Sequence, residues 1–401
     1  MPAQRIYLDH AATTPVRPEV REAMLPYLGD EVFGNPSSSH HFGRTARAGL
    51  ETARHQIAEA LGVEGREVFF TSGGTEADNM AVLGAAMVQL AGEGTRGGRC
   101  HIVSSPTEHK AVLAALKEAE HLGARVTMLP VDRNGVLDMA ALDDALAGKL
   151  PGGKPTLVSI MWVNNETGVI QPIREIADQC AAADACFHTD AVQALGKLPV
   201  NLKDLPCASA VISAHKICGP KGIGAIFARD RKCMKGLVLG GGQQGGIRPG
   251  TENVAGAVGF GVAAALATEE QQEACRTYRA IRDAIEAGLR ERLPDLVVHA
   301  AGAERGPNIL NVSVPDTDSE TLLMHLDLAG LACASGSACS TGSVEPSHVL
   351  TAMGVPRDLA AAAVRLSVGC LSRIEQVPLV VETFTACVAK VRKLRAVLAR
   401  A

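Results

Sequence analysis

The stretch FFTSGGTEADNMAVLGAA, residues 69–86, carries the pattern from which the fold is read. Phe69 and Phe70 close a short apolar run, two glycines follow, and a helical pattern opens behind Thr75. A strand that turns directly into a helix is the first half of a β-α-β unit. The same rhythm extends outward. Apolar runs at 67–72, 100–105, 124–131, 155–163, 185–190, 208–214 and 224–228 read as buried strands. Helical patterns at 76–90, 108–121, 138–147 and 172–183 lie between several of them. The alternation predicts an α/β fold: a mainly parallel sheet with helices on both faces. A long helical stretch, 252–292, then leads away. Beyond it come strand 308–314, helix 319–328, a small-residue loop, helix 346–353, strand 364–368 and helix 374–398, which read as a smaller α+β domain.

A chain of 401 residues suits two domains. Its 47% hydrophobic and 20% charged residues are ordinary for a globular protein. A net charge of −4, with no basic block, gives no case for nucleic acid. No apolar run is long enough to span a bilayer, and the start MPAQRIYLDHAATTP lacks a basic-then-apolar leader. The expectation is a cytoplasmic protein without a membrane partner. Eleven scattered cysteines contain no C-x-x-C pair, so neither a disulfide framework nor a metal site is expected.

Chemistry is legible at the strand ends. Gly73 and Gly74 let a phosphate approach a helix N-terminus and Thr75 adds a hydroxyl; an ordinary capped turn would use the same residues. Lys216, in SAHKICGPKGIGAIFA (213–228), follows a strand and precedes a Gly/Pro turn, where a desolvated lysine can bond covalently to a carbonyl. Asp190 ends another strand. A lysine with a carboxylate partner is what pyridoxal phosphate needs, although an Asp there also suits a helix N-cap. His109 opens a helix after a strand and Asn165 ends a further one. Convergence on one sheet edge is the stronger signal. Two nucleotide motifs fail. GKLPGGK (148–154) is followed by Pro155 and lies between a helix and a strand. GGGQQGGIRPGTEN (240–253) is not in a first βα turn.

Ten segments, in order from Tyr7 to about Gly369, resemble the cysteine desulfurases of the NifS/IscS-like class: YLDHAATTP, FGNPSSSHHFGR, TSGGTEADN, PTEHKAV, VNNETGVIQPI, HTDAVQALGK, SAHKICGPKG, GIRPGTEN, ASGSACS and EPSHV. The resemblance implies a fold-type I pyridoxal-phosphate enzyme with a seven-stranded sheet, acting as a homodimer. The expected large domain is 15–260; residues 1–14 and 261–401 form the small domain, carrying a catalytic loop at about 332–344. L-cysteine would be the substrate, with alanine and a persulfide on Cys339 as products. An iron–sulfur scaffold or another protein would accept the sulfur. Lys216 would hold the cofactor covalently, and His109 would stack on its ring and take part in catalysis by assisting proton transfers. Asp190 would pair with the ring nitrogen, with Gln193 and Asn165 near the phenolate side. Gly74, Thr75, Ser213 and His215 would hold the phosphate, and Thr251 the phosphate in the partner subunit. Asn35 and Arg365 would meet the substrate carboxylate, with Asn165 also binding substrate. Gly336 and Gly342 would free the loop that carries Cys339 in and out.

The chain departs from the family's usual residues in places. Gln244-Gly245 replaces a common Glu-Arg in the loop expected at the other subunit. Cys218 replaces an aromatic beside Lys216, and Ser340 stands for Thr. Cys333 is an extra thiol, read as a core residue with a relay role as the alternative. An aminotransferase needs no loop cysteine, and a non-catalytic scaffold would have lost Lys216 or the phosphate turn. A selenocysteine lyase of the same fold stays open.

Overall fold

The computed structural model describes residues 5–94, 98–229, 234–336 and 345–398. Seven strands form the large sheet. In spatial order they are Val68–Thr71, Gly224–Ala228, Ser209–Ser213, Cys186–Asp190, Leu157–Ser159, His101–Ser104 and Arg125–Met128. Only Gly224–Ala228 runs against its neighbours; the others point one way. Most are buried along their length, because helices cover both faces and leave no side for polar alternation. Arg125–Met128 corrects the reading of 124–131 as buried. It pairs only with His101–Ser104, so Arg125 and Met128 are exposed at the sheet's edge.

Helices Gly74–Leu90, Lys110–His121, Met139–Leu146 and Ile173–Ala182 supply the crossovers. The main core gathers around Phe187, Phe227, Phe260 and Ile57, all within 1% of full burial. Burying side chains of this size stabilises by roughly 1.5–3 kcal/mol each.

A second core draws Ile6 and Leu8 together with residues between 281 and 391, including Leu310, Leu366 and Phe384. It lies on a three-stranded antiparallel sheet, Ala363–Ser367, Ile309–Ser313 and Val297–Val298, beside the parallel pair Ile6–Tyr7 and Leu331–Ala332. The stretch read as one helix, 252–292, is two: Val254–Glu269 and Gln271–Arg292. The first packs Phe260, Ala263 and Ala264 into the main core; the second sends Ile281, Ile285 and Leu289 into the smaller one. Among the described residues no helix is long and apolar enough to cross a membrane. No cluster of His, Cys, Asp and Glu among them could hold a metal ion.

Candidate active site

The parallel strands end on one edge of the sheet, and the candidate residues leave from that edge. Val68–Thr71 passes through Ser72 and Gly73 into helix Gly74–Leu90, which has no side-chain cap. Its first N–H groups are therefore available to an anion. A Cβ built at Gly73 meets nothing within 4 Å, so the turn faces open space. Thr75 is exposed there. Ser213 Oγ is buried without a partner among the described residues, and its Cβ lies 3.9 Å from a Cβ built at Gly74. His215 Nδ1 meets Thr13 Oγ1 at 3.2 Å, and burial pushes the imidazole down to about 4, so it is neutral. Open space, unspent N–H groups and an orphaned hydroxyl fit a phosphate group.

Lys216 ends the short turn Ala214–Lys216, between Ser209–Ser213 and the reversed strand. Its Nζ donates to the carbonyls of Ala11 at 2.6 Å and Ala12 at 2.7 Å. Burial pushes the amine down to about 7, with repulsion from Arg365 and Lys197 adding to it. Asp190 is buried, and its Oδ1 accepts from Val192 N at 2.9 Å. Burial pushes its carboxyl up, while His109 and Lys216 pull the other way. His109 caps helix Lys110–His121: Nδ1 accepts from Ala111 N at 3.1 Å, which leaves Nε2 to carry the proton of the neutral ring. Gln193 donates to Ala11 O at 2.9 Å, and its Oε1 is buried without a partner among the described residues. Amine, carboxylate, imidazole and orphaned amide oxygen beside the phosphate turn suit pyridoxal phosphate.

A cleft of about 450 Å³ brings Asp9, His109, Asn165, Lys216, Cys333 and Arg365 together and extends to Gly336. Arg365 has 7% of its side chain exposed; Nη2 donates to Asp9 Oδ1 at 2.7 Å and Nη1 to Asn165 O at 2.9 Å. Cys333 packs against the second core, and burial pushes its thiol up to about 12. Such a thiol stays protonated at neutral pH, which favours the core reading over a relay.

Two expected residues lie elsewhere. Asn35 and Thr251 are exposed and do not line this cleft. Cys339, within 337–344, lies outside the described residues, but both flanks of that segment are anchored. Ala334 exchanges backbone hydrogen bonds with Arg365 at 3.2 and 2.7 Å. Ser347 Oγ bonds the buried Glu166 carboxylate. Gln244 turns inward: its Oε1 accepts from Arg54 Nη1 at 2.9 Å and Phe70 N at 3.0 Å.

Asp9 and Glu166 are the residues that sequence reasoning missed. Both sit inside quoted motifs, YLDHAATTP and VNNETGVIQPI, but each meets its partner far along the chain.

The aminotransferase class-V family model matches residues 6–380. The cysteine desulfurase IscS of Dictyoglomus turgidum is 43% identical over 392 residues, covering 98% of this chain and 96% of that protein. The cysteine desulfurase IscS of Methanosarcina thermophila is 42% identical over 389 residues, covering 97% and 93%. Among solved structures, a NifS-like protein aligns with a TM-score of 0.87 at 34% identity over 96% of this chain and 100% of its own. A NifS-like protein from Rickettsia africae gives 0.83 at 32% identity, again over 96% and 100%. The chain belongs to the class-V aminotransferase family and, within it, to the pyridoxal-phosphate-dependent cysteine desulfurases.

Proposed function

We propose that this enzyme removes the sulfur of L-cysteine, leaves alanine, and carries the sulfur as a persulfide on Cys339. The observation that carries the reading is the cleft itself. Lys216 and Arg365 share it, and it extends to Gly336, only three positions before Cys339. Three extended residues span about 10 Å, a length that supports Cys339 as the residue to meet a substrate held between the two.

Pyridoxal phosphate, when bound, supplies the electron sink that lets bonds at the substrate's Cα and Cβ break. The chain supplies the rest. Lys216, neutral above about pH 7, is the group to hold the cofactor and to take and return a proton at its Nζ. Asp190 would keep the ring nitrogen protonated and His109 would stack on the ring. Gln193 and Asn165 would lie on the phenolate side, and Gly74, Thr75, Ser213 and His215 would hold the phosphate. Arg365, with Asn35, would take the substrate carboxylate; the fork of Arg365 is oriented by Asp9. Cys339, as thiolate, attacks the substrate sulfur. The C–S bond breaks, an S–S bond forms, and the carbon keeps the bonding electrons and gains a proton.

The same reading includes a homodimer. Exposed Leu28, Phe33, Phe42 and Leu239 support a covered face, as does the exposure of Thr251, which the family pattern assigns to the partner's phosphate. It includes two domains divided as read above, except that Ala263 and Ala264 in the main core support a boundary at Glu270. It also includes transfer of the sulfur to an iron–sulfur scaffold or another acceptor protein. The cytoplasm, where thiols are kept reduced, suits a working Cys339. The test is Cys339→Ser. Alanine formation from L-cysteine should fall to background while the bound cofactor's visible absorption is kept. Normal turnover in that variant would end the assignment.

A further inference from the structure

A pair of thiols lies behind Lys216, outside the cleft. Cys218 Sγ and Cys370 Sγ are 3.3 Å apart and share a hydrogen bond, although 152 positions separate them in the chain. Cys218 follows strand Ser209–Ser213 of the large sheet; Cys370 follows strand Ala363–Ser367 of the small one. Their neighbours Ile217 and Val368 belong to different cores, so the pair spans the seam between them.

Cys218 is held firmly. Its φ is +62°, which a non-glycine residue keeps only where its surroundings fix it. Its N–H donates to Thr14 Oγ1 at 2.8 Å and its carbonyl accepts from Arg17 N at 3.1 Å. The carbonyl of Cys370 accepts from Arg373 Nη1 at 2.8 Å. Both residues are partly exposed. A cavity of about 90 Å³ adjoins them, lined in part by His10, Lys197, Lys216, Cys218, Tyr278 and Cys370. At about 30 Å³ per water this is room for a small polar oxidant. The hydrogen bond with Cys370 holds the Cys218 thiol down at about 6 against burial, and Lys197 and Arg17 pull the same way. The same bond pushes Cys370 up. A thiolate against a protonated thiol is the arrangement from which a disulfide forms.

We propose that Cys218 and Cys370 are a reversible dithiol–disulfide pair that reacts with hydroperoxides and staples the two cores together beside Lys216. The Cys218 thiolate attacks one peroxide oxygen. The O–O bond breaks, and the departing hydroxide takes a proton and leaves as water, giving a sulfenic acid. The Cys370 thiol attacks the sulfenic sulfur. The S–O bond breaks, the S–S bond forms, and the hydroxide leaves as water with the Cys370 proton. Two thiols and one peroxide become one disulfide and two waters, and an external dithiol reverses the change. The sulfurs must close from 3.3 Å to about 2.05 Å. The link ties the turn just past Lys216 to the turn just past the strand of Arg365, so the two sides of the cleft become one body when oxidised.

The test uses the pyridoxal-phosphate-loaded protein, reduced, freed of reductant and exposed to a small excess of hydrogen peroxide. Free thiols are then alkylated and the protein is digested without reduction for mass spectrometry. The expected product is a linked peptide pair containing Cys218 and Cys370. It should disappear with dithiothreitol, be absent in Cys218→Ser and in Cys370→Ser, and persist in Cys275→Ser. The unfolding midpoint of the oxidised wild type should rise by several degrees, and that of either linked-position variant should not. Three results would overturn the proposal: both residues recovered as thiols while other cysteines oxidise, Cys218 linked elsewhere, or Cys218 sulfinic acid without a linked peptide. A linked pair with a lowered midpoint would overturn the staple.

Discussion

Lys216 shows how far one residue's chemistry follows from its position. The Ala11 and Ala12 carbonyls hold its amine in a partly dry site, and the pKa falls from 10.5 to about 7. Only the neutral amine attacks an aldehyde. The rate at which the apoprotein takes up pyridoxal phosphate should therefore climb about tenfold per pH unit below 7 and flatten above it; absorbance stopped-flow reads this directly. A limb still climbing at pH 9 would mean an unperturbed lysine. Lys216→Ala should lose the covalent absorption band altogether. Lys216, Asp190 and His109 were legible because each ends or closely follows a strand, or starts a helix, in a recognisable rhythm. Asp9 was not, because its value comes from Arg365, 356 positions away. Asp9→Asn leaves a buried guanidinium with a weaker partner. KM for L-cysteine should rise about three- to tenfold with a smaller change in kcat, a loss of roughly 1 kcal/mol.

At the scale of elements, Gly336 and Ser347, on either side of the segment that includes Cys339, meet at one buried carboxylate. Glu166 receives both. Ser347 bonds its carboxylate and also accepts from Leu350 N at 3.2 Å, capping helix His348–Ala352. Gly336 lies so close that a Cβ there would sit 2.0 Å from Glu166 Oε2. Gly336→Ala must displace the flank or the carboxylate. Alanine formation should drop at least about tenfold, which is ~1.4 kcal/mol of barrier, while cofactor absorption is unchanged. Ser347→Ala should cost about 1–2 kcal/mol of stability through the lost cap and an unpaired carboxylate, seen as a lower unfolding midpoint. The elements themselves were largely readable from periodicity. The exceptions have tertiary causes. Arg125–Met128 is an edge strand because nothing among the described residues pairs beyond it, and pattern alone does not report sheet order. The break at Glu270 carries no Pro or Gly; it exists because the helices on either side serve different cores.

For the molecule as a whole, the sequence rhythm indicated two bodies but not how they share one site. Thr251 and Asn35 stand away from the cleft of their own chain, as expected if a second copy completes the site. The protein should sediment as a dimer, and Thr251→Ala should weaken pyridoxal phosphate binding several-fold without dissociating it; unchanged cofactor affinity would remove Thr251 from the site. The N-terminal segment has a different consequence. Ile6–Tyr7 pairs with Leu331–Ala332, and Asp9 pairs with Arg365, so residues made early wait for residues made much later. At about 5–20 residues per second, a ribosome adds Arg365 roughly 7–30 s after Lys216. Through that interval the nascent chain holds its lysine and its phosphate turn but not the arginine opposite them. On the proposed reading, translation makes the residues that would hold the cofactor before the arginine that would select what it acts upon.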